Sequence, residues 1–86
     1  MEGKDNMLKN QKYYQKLGWA LRVQRKRKNV TIQEMAEKLQ ISGQQLSKYE
    51  LGENRIPIDK LDEYCEILNI KAKWLIDFAR KVKEIG

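Results

Sequence analysis

The stretch from Thr31 to Gly52 constrains the fold more than any other part of the chain, because two helix starts and a helix stop lie close together in it. Thr31 and Glu34, in the run T-I-Q-E, have the spacing of a capping box. The threonine oxygen takes a backbone N–H of the first turn, and the glutamate reaches back to the threonine's own N–H. The pattern predicts a short helix over Ile32–Leu39 with Met35, Ala36 and Leu39 facing inward. Gln40 and Ile41 leave room for a tight connection only. Ser42 then caps a second short helix, Gly43–Leu51, with Leu46 as its inward anchor. Gly52 stops it, since a helix C-terminus often closes on a left-handed residue. Two short helices joined by about four residues are a helix-turn-helix.

The flanks read as helices too. Tyr14, Leu17, Ala20, Leu21 and Gln24 recur at helical spacing over 12–28, and Trp19 and Val23 make an i,i+4 pair on another face. The run Arg25, Lys26, Arg27, Lys28 suits the negative end of the helix dipole, and Asn29 suits a left-handed cap. Beyond the E-N-R-I-P loop, Pro57 and Asp59 open a further helix with Ile58, Leu61, Cys65 and Leu68 inward, and Asn69 stops it. A last helix is expected from about Ala72 to Lys83. Residues 1–11 are polar and are expected as a flexible tail or the frayed start of a helix. With one proline and five glycines in 86 residues, the expectation is one all-α domain of five helices over 12–86.

Charge narrows the partner. Lys and Arg number 18 against 12 Asp and Glu, a net charge of +6. Residues 1–30 hold nine basic and two acidic side chains, so the whole surplus lies in the first third. Such a surplus suggests a polyanion. There is no histidine, and Cys65 is the one cysteine. Ser–His and Cys–His catalysis and zinc fingers are thereby excluded, and no metal-ligand cluster is visible. Neither an apolar run of membrane-spanning length nor a signal-peptide core is present, which reads as a cytoplasmic, nucleoid-associated protein without a membrane partner. Nothing points to a cofactor or a small-molecule substrate.

From Leu17 to Leu75 the chain resembles the phage-repressor and Cro type of helix-turn-helix protein. The likeness rests on L-G-W-A-L-R-V-Q-R-K-R, T-I-Q-E-M-A-E-K-L-Q-I-S, Q-Q-L-S-K-Y-E-L-G-E-N-R-I-P and K-L-D-E-Y-C-E-I-L-N-I. The piece Q-Q-L-S-K-Y-E-L-G-E-N-R is similar to a branch common in alphaproteobacterial regulators. The resemblance implies a five-helix, lambda-repressor-like DNA-binding domain and a sequence-specific regulator, most simply a repressor. It implies that Arg25 pairs with Glu50 and that Ala36 lets the two motif helices approach.

The second motif helix is expected in the major groove and the first across the phosphate backbone. Gly43, Gln44, Ser47 and Lys48 are then the base-facing candidates. Glutamine can bond adenine bidentately, and lysine can meet guanine, while Gly43 offers no side chain. Thr31, Gln33, Gln45, Asn54 and Arg55 are the phosphate-facing candidates. Tyr49 is open between packing inward and bonding a phosphate. The family usually has a glutamine directly after the cap of the first motif helix. Here that position is Ile32, and Gln33 follows one residue, about 100° of rotation, later.

Relatives bind as dimers on paired half-sites, so a homodimer on double-stranded DNA is expected. Trp74, Phe78, Ala79, Val82 and Ile85 of the last helix are the candidate interface, with Trp19 as a further member. The competing reading is a protein-interaction module of antitoxin type on the same fold. Such a module would more often expose apolar residues where Gln44, Ser47 and Lys48 stand.

Overall fold

The computed structural model describes residues 2–82, and side chains from Lys12 onward. Five helices follow one another: α1 Glu2–Arg27, α2 Ile32–Leu39, α3 Gly43–Leu51, α4 Ile58–Leu68 and α5 Ala72–Lys81. No strand occurs among the described residues. α1 packs on α3 and α5, α2 packs on α3 and α4, and α4 packs on α5.

Local chemistry sets the boundaries. The capping box at Thr31 is complete: Thr31 Oγ1 accepts the Glu34 N–H at 3.1 Å, and the Thr31 N–H donates to Glu34 Oε1 at 2.9 Å. The Thr31 bonds hold the Glu34 carboxyl below its ordinary 4.5. Ser42 Oγ caps α3 by accepting the Gln45 N–H at 3.0 Å. Four segments close on a left-handed residue: Asn29, Gln40, Gly52 and Asn69. After each, the next N–H reaches back to a carbonyl of the last turn, as from Ile41 to Ala36 and from Glu53 to Lys48, both 3.0 Å. These closures keep the connections short and fix the angle at which each helix leaves its neighbour.

The core gathers Leu17 and Leu21 from α1, Met35 and Leu39 from α2, Leu46 from α3, Leu61, Tyr64 and Leu68 from α4, and Leu75 and Ala79 from α5. Cys65 belongs to it, and burial, with Asp62 near, pushes its thiol up to about 11. Lys60 Nζ donates to the Leu39 carbonyl at 2.8 Å and so caps the end of α2 from α4.

α1 begins at Glu2, so of the two alternatives for residues 1–11 the helical start is the one seen over 2–11. The structure corrects three expectations. Ile58 is 69 % exposed; as the first residue of α4 it hangs clear of the helices below it. α5 ends at Lys81, and Val82 already has extended backbone. Ala79 is fully buried; it lies one turn after Leu75 on the inward face of α5 and cannot line an exposed patch.

Candidate nucleic-acid interface

Side chains from α1 and α4 hold α3 in place. Arg25 of α1 donates from Nε and one terminal nitrogen to the two carboxylate oxygens of Glu50, at 2.8 and 2.9 Å. Its other terminal nitrogen donates to the Val30 carbonyl at 2.9 Å. The Tyr64 hydroxyl of α4 lies 2.7 Å from Glu50 Oε2 and 3.1 Å from the Leu21 carbonyl. Burial, and then the Glu50 charge, hold that hydroxyl far above the ordinary phenol range, so it stays a donor. All three side chains are buried. A buried pair with both carboxylate oxygens bonded escapes the cost of an unpaired ion and fixes geometry as well. The Arg25–Glu50 pairing implied by the resemblance is therefore present; Tyr64, its third member, is not evident from spacing alone.

The close fit of α1 and α3 depends on two glycines. A Cβ at Gly18 would stand 2.5 Å from the carbonyl oxygens of Tyr49 and Glu50. Gly52, at φ +75°, faces the backbone of Gln15 at a similar distance. Between these contacts the last turn of α3 lies directly on the α1 backbone. A glycine inside a helical pattern is the sequence signal for such an approach.

The opposite face of α3 is open. Gln44 and Lys48 are exposed and Ser47 is half-buried. A Cβ at Gly43 would meet nothing within 4 Å. Gln44, Ser47, Lys48 and Leu51 fall at i, i+3, i+4 and i+7, one stripe along the helix. Leu51, 53 % exposed, was not among the sequence candidates. Tyr49 is half-buried and packs against the core, the inward of its two alternatives.

The phosphate-facing candidates divide into three places. Thr31 and Gln33 are exposed at the start of α2. Gln45 and Asn54 are brought together, with Gln45 Nε2 donating to Asn54 Oδ1 at 3.1 Å. That bond ties the first turn of α3 to the loop after it. Arg55 stands apart from both and lies over the Tyr14 ring of α1, 5.1 Å from its centroid. Beside Thr31 a cleft of about 480 Å³ opens between α1, α2 and α3, with Arg22, Ile32, Ser47 and Leu51 around the Arg25–Glu50 pair. Arg22, too, was not singled out by sequence reasoning.

Away from this face, Phe78 stacks between two tryptophans. Its ring centroid is 6.2 Å from Trp19 and 5.5 Å from Trp74, and the planes are within 12° of parallel. Trp19 and Trp74 are 37 % and 46 % exposed. Val82 is half-buried, and Ile85 lies outside the described residues. Among the described residues no helix is long and apolar enough to cross a membrane.

A family model described as helix-turn-helix matches residues 21–75. Two crystal structures of the clp gene regulator ClgR from Corynebacterium glutamicum are similar in fold. One is 31 % identical, with 79 % of this chain and 72 % of that chain covered and a TM-score of 0.77. The other is 28 % identical, with 86 % and 96 % covered and a TM-score of 0.78. No curated protein matches the sequence. The matched residues run from the end of α1 through both motif helices into α5, and they include the whole Arg25–Glu50–Tyr64 network. The chain belongs to the helix-turn-helix family of DNA-binding transcriptional regulators.

Proposed function

We propose that the protein is a sequence-specific repressor that binds operator half-sites as a homodimer and blocks access to a promoter. The observation that carries this reading is the contrast on α3: its inner side is locked by Arg25, Tyr64 and Gly18, while Gln44, Ser47 and Lys48 project from its outer side. A rigid helix with free polar side chains suits the major groove. Gln44 reads adenine through its amide, and Lys48 meets guanine or an adjacent phosphate. Gly43 leaves space for a base edge, and Ser47 bonds beside it. Thr31, Gln33, Gln45, Asn54 and Arg55 set the register on the backbone. The Gln45–Asn54 bond and the Arg55–Tyr14 contact orient three of these groups before DNA arrives.

One such module buries only about 600–1,000 Å² on DNA, which favours two copies on half-sites about one helical turn apart. The stack of Trp19, Phe78 and Trp74, with Val82 beyond it, is the surface assigned to pairing. Action in the cytoplasm, in association with the nucleoid, follows from the same reading.

The test is binding to fragments from the gene's own upstream region against random duplex, for wild type and Gln44→Ala, at two salt concentrations. Wild type is expected to prefer one fragment, and Gln44→Ala to lose about 1–3 kcal/mol of that preference. Equal, salt-sensitive binding to every duplex would leave only the basic charge at work and sink the proposal.

A further inference from the structure

We propose that α4 sets the tilt of the reading helix by holding α3 at both ends, with Lys60 and Tyr64 as positioning residues. The inference rests on the DNA-binding reading above and gives two residues a role in specificity at a distance from DNA. α4 itself packs on α2 and α5. Two of its side chains nevertheless reach the two ends of α3. Lys60 Nζ donates to the Leu39 carbonyl at 2.8 Å, at the turn that leads into α3. The Tyr64 hydroxyl lies 2.7 Å from Glu50 Oε2, in the last turn of α3. The donors stand at i and i+4 on α4 and so share one face. The groups they hold bracket nearly the whole of Gly43–Leu51.

Each grip suits its place. Leu39 ends α2, and its carbonyl lies at the negative end of that helix's dipole, where an ammonium is favoured. The carbonyls of Ala36 and Glu37 are taken by the N–H groups of Ile41 and Gln40, so Lys60 serves a carbonyl that those bonds leave out. Glu63 Oε1, 3.6 Å from the same ammonium, steadies it from α4 itself. At the far end, Arg25 approaches Glu50 from α1 as a planar fork. A fork fixes the carboxylate in one plane, and α3 could still pivot about that line. Tyr64 adds a bond from a different helix. Between the grips, Met35, Leu39 and Leu46 join α2 and α3 in one apolar core. Apolar contact is non-directional, so it tolerates sliding that two directional bonds do not. Gln44, Ser47 and Lys48 stand on the outer side of α3. A change of tilt therefore displaces them without removing any group that meets DNA.

The experiment compares full-length wild type, Lys60→Met, Lys60→Arg, Tyr64→Phe and the double variant Lys60→Met with Tyr64→Phe. Each binds the preferred fragment and random duplex across a salt series, well below its thermal midpoint. Lys60→Met keeps the aliphatic stem and Tyr64→Phe keeps the ring, so each removes one donor. Each single variant is expected to lower the preference for the fragment about five- to tenfold, the low end of what one lost base contact costs. Affinity for random duplex and the salt slope should hold, whereas a lost phosphate contact would lower the slope by about 1. Lys60→Arg, which still donates, should recover most of the preference. With one grip gone the tilt is already free, so the double variant should lose less than the product of the single losses. A merely structural role would not move the preference, because unfolded protein is lost from both duplexes alike. An unchanged preference in either single variant, a fallen slope in Lys60→Met, or single losses that multiply in full overturns the assignment while leaving the regulator reading intact. Should Tyr64→Phe not fold, Lys60→Met and its arginine rescue decide alone. A wild type without fragment preference overturns the regulator reading itself, and this assignment with it.

Discussion

The inner and outer sides of α3 are built to opposite rules. Inside, Leu46 and Glu50 are buried, each oxygen of Glu50 is bonded, and the helix backbone rests on Gly18. Outside, Gly43 has empty space around it and Gln44 and Lys48 are exposed. A helix of nine residues is marginal on its own in water. Its position is set by what holds its inner side, and its outer side is left free to vary. Stability and recognition are thus separated across the width of one helix.

The sharpest way to break that separation is to open the inner side. Glu50→Ala strands Arg25 in a buried site and removes the nearer of the two acceptors of Tyr64. Breaking a buried pair from one side costs about 3–5 kcal/mol. For a domain of this size that lowers the thermal midpoint by roughly 15 °C or more. Gln44→Ala, on the outer side of the same helix, should stay within about 0.5 kcal/mol of wild type. Thermal melts followed by circular dichroism compare the two directly. Similar midpoints for both variants would show that the network does not anchor the helix.

Gly18→Ala sharpens the comparison further. In an open helix this change is favourable by roughly 0.5–1 kcal/mol. Here the new methyl would stand 2.5 Å from two backbone carbonyl oxygens, and backbone cannot swing aside as a side chain can. The expected result is a net loss of about 1–3 kcal/mol from overpacking, read as a lower urea midpoint. A gain in stability would mean that α1 and α3 can separate at little cost, and that the position of α3 is soft.

How much of this was legible in the sequence follows the range of the interaction involved. Thr31, Glu34, Ser42 and Gly52 act on backbone a few residues away, so α2, the turn and α3 could be placed from local chemistry. The Arg25–Glu50 pair spans 25 positions, and only the family resemblance pointed to it. Tyr64 was missed because an amphipathic side chain does not mark a face; its burial depends on an acceptor contributed by α3. Ile58 fits the periodicity of α4, yet a helix's first residue can overhang what it packs on. Ala79 sits in sequence among the large side chains Trp74 and Phe78, yet its i,i+4 relation to Leu75 points inward. Arg22 looked like one more cation in a basic segment. Only the arrangement of α1, α2 and α3 distinguishes it from Arg27 and Lys28.

The smallest expected effect lies at the exposed end of the comparison, in the α2 cap. The Glu34 carboxylate accepts the Thr31 N–H, and its folded-state pKa lies below its ordinary 4.5 for that reason first. A group depressed in the folded state adds stability above its unfolded pKa. That stability is lost as the pH falls through its folded value. Wild type should therefore be slightly more stable than Glu34→Gln at pH 7, and the difference should be lost at an acid pH well below the ordinary carboxylate range. Glutamine can still close the box, so the variant isolates the charge from the hydrogen bond. Urea midpoints at the two pH values give the answer. A difference that persists in acid would assign the cap's contribution to shape rather than charge. One that vanishes would identify Glu34 as an acid-sensitive element directly beside the Thr31 donors, whereas the buried Arg25–Glu50–Tyr64 network holds α3 from the other side.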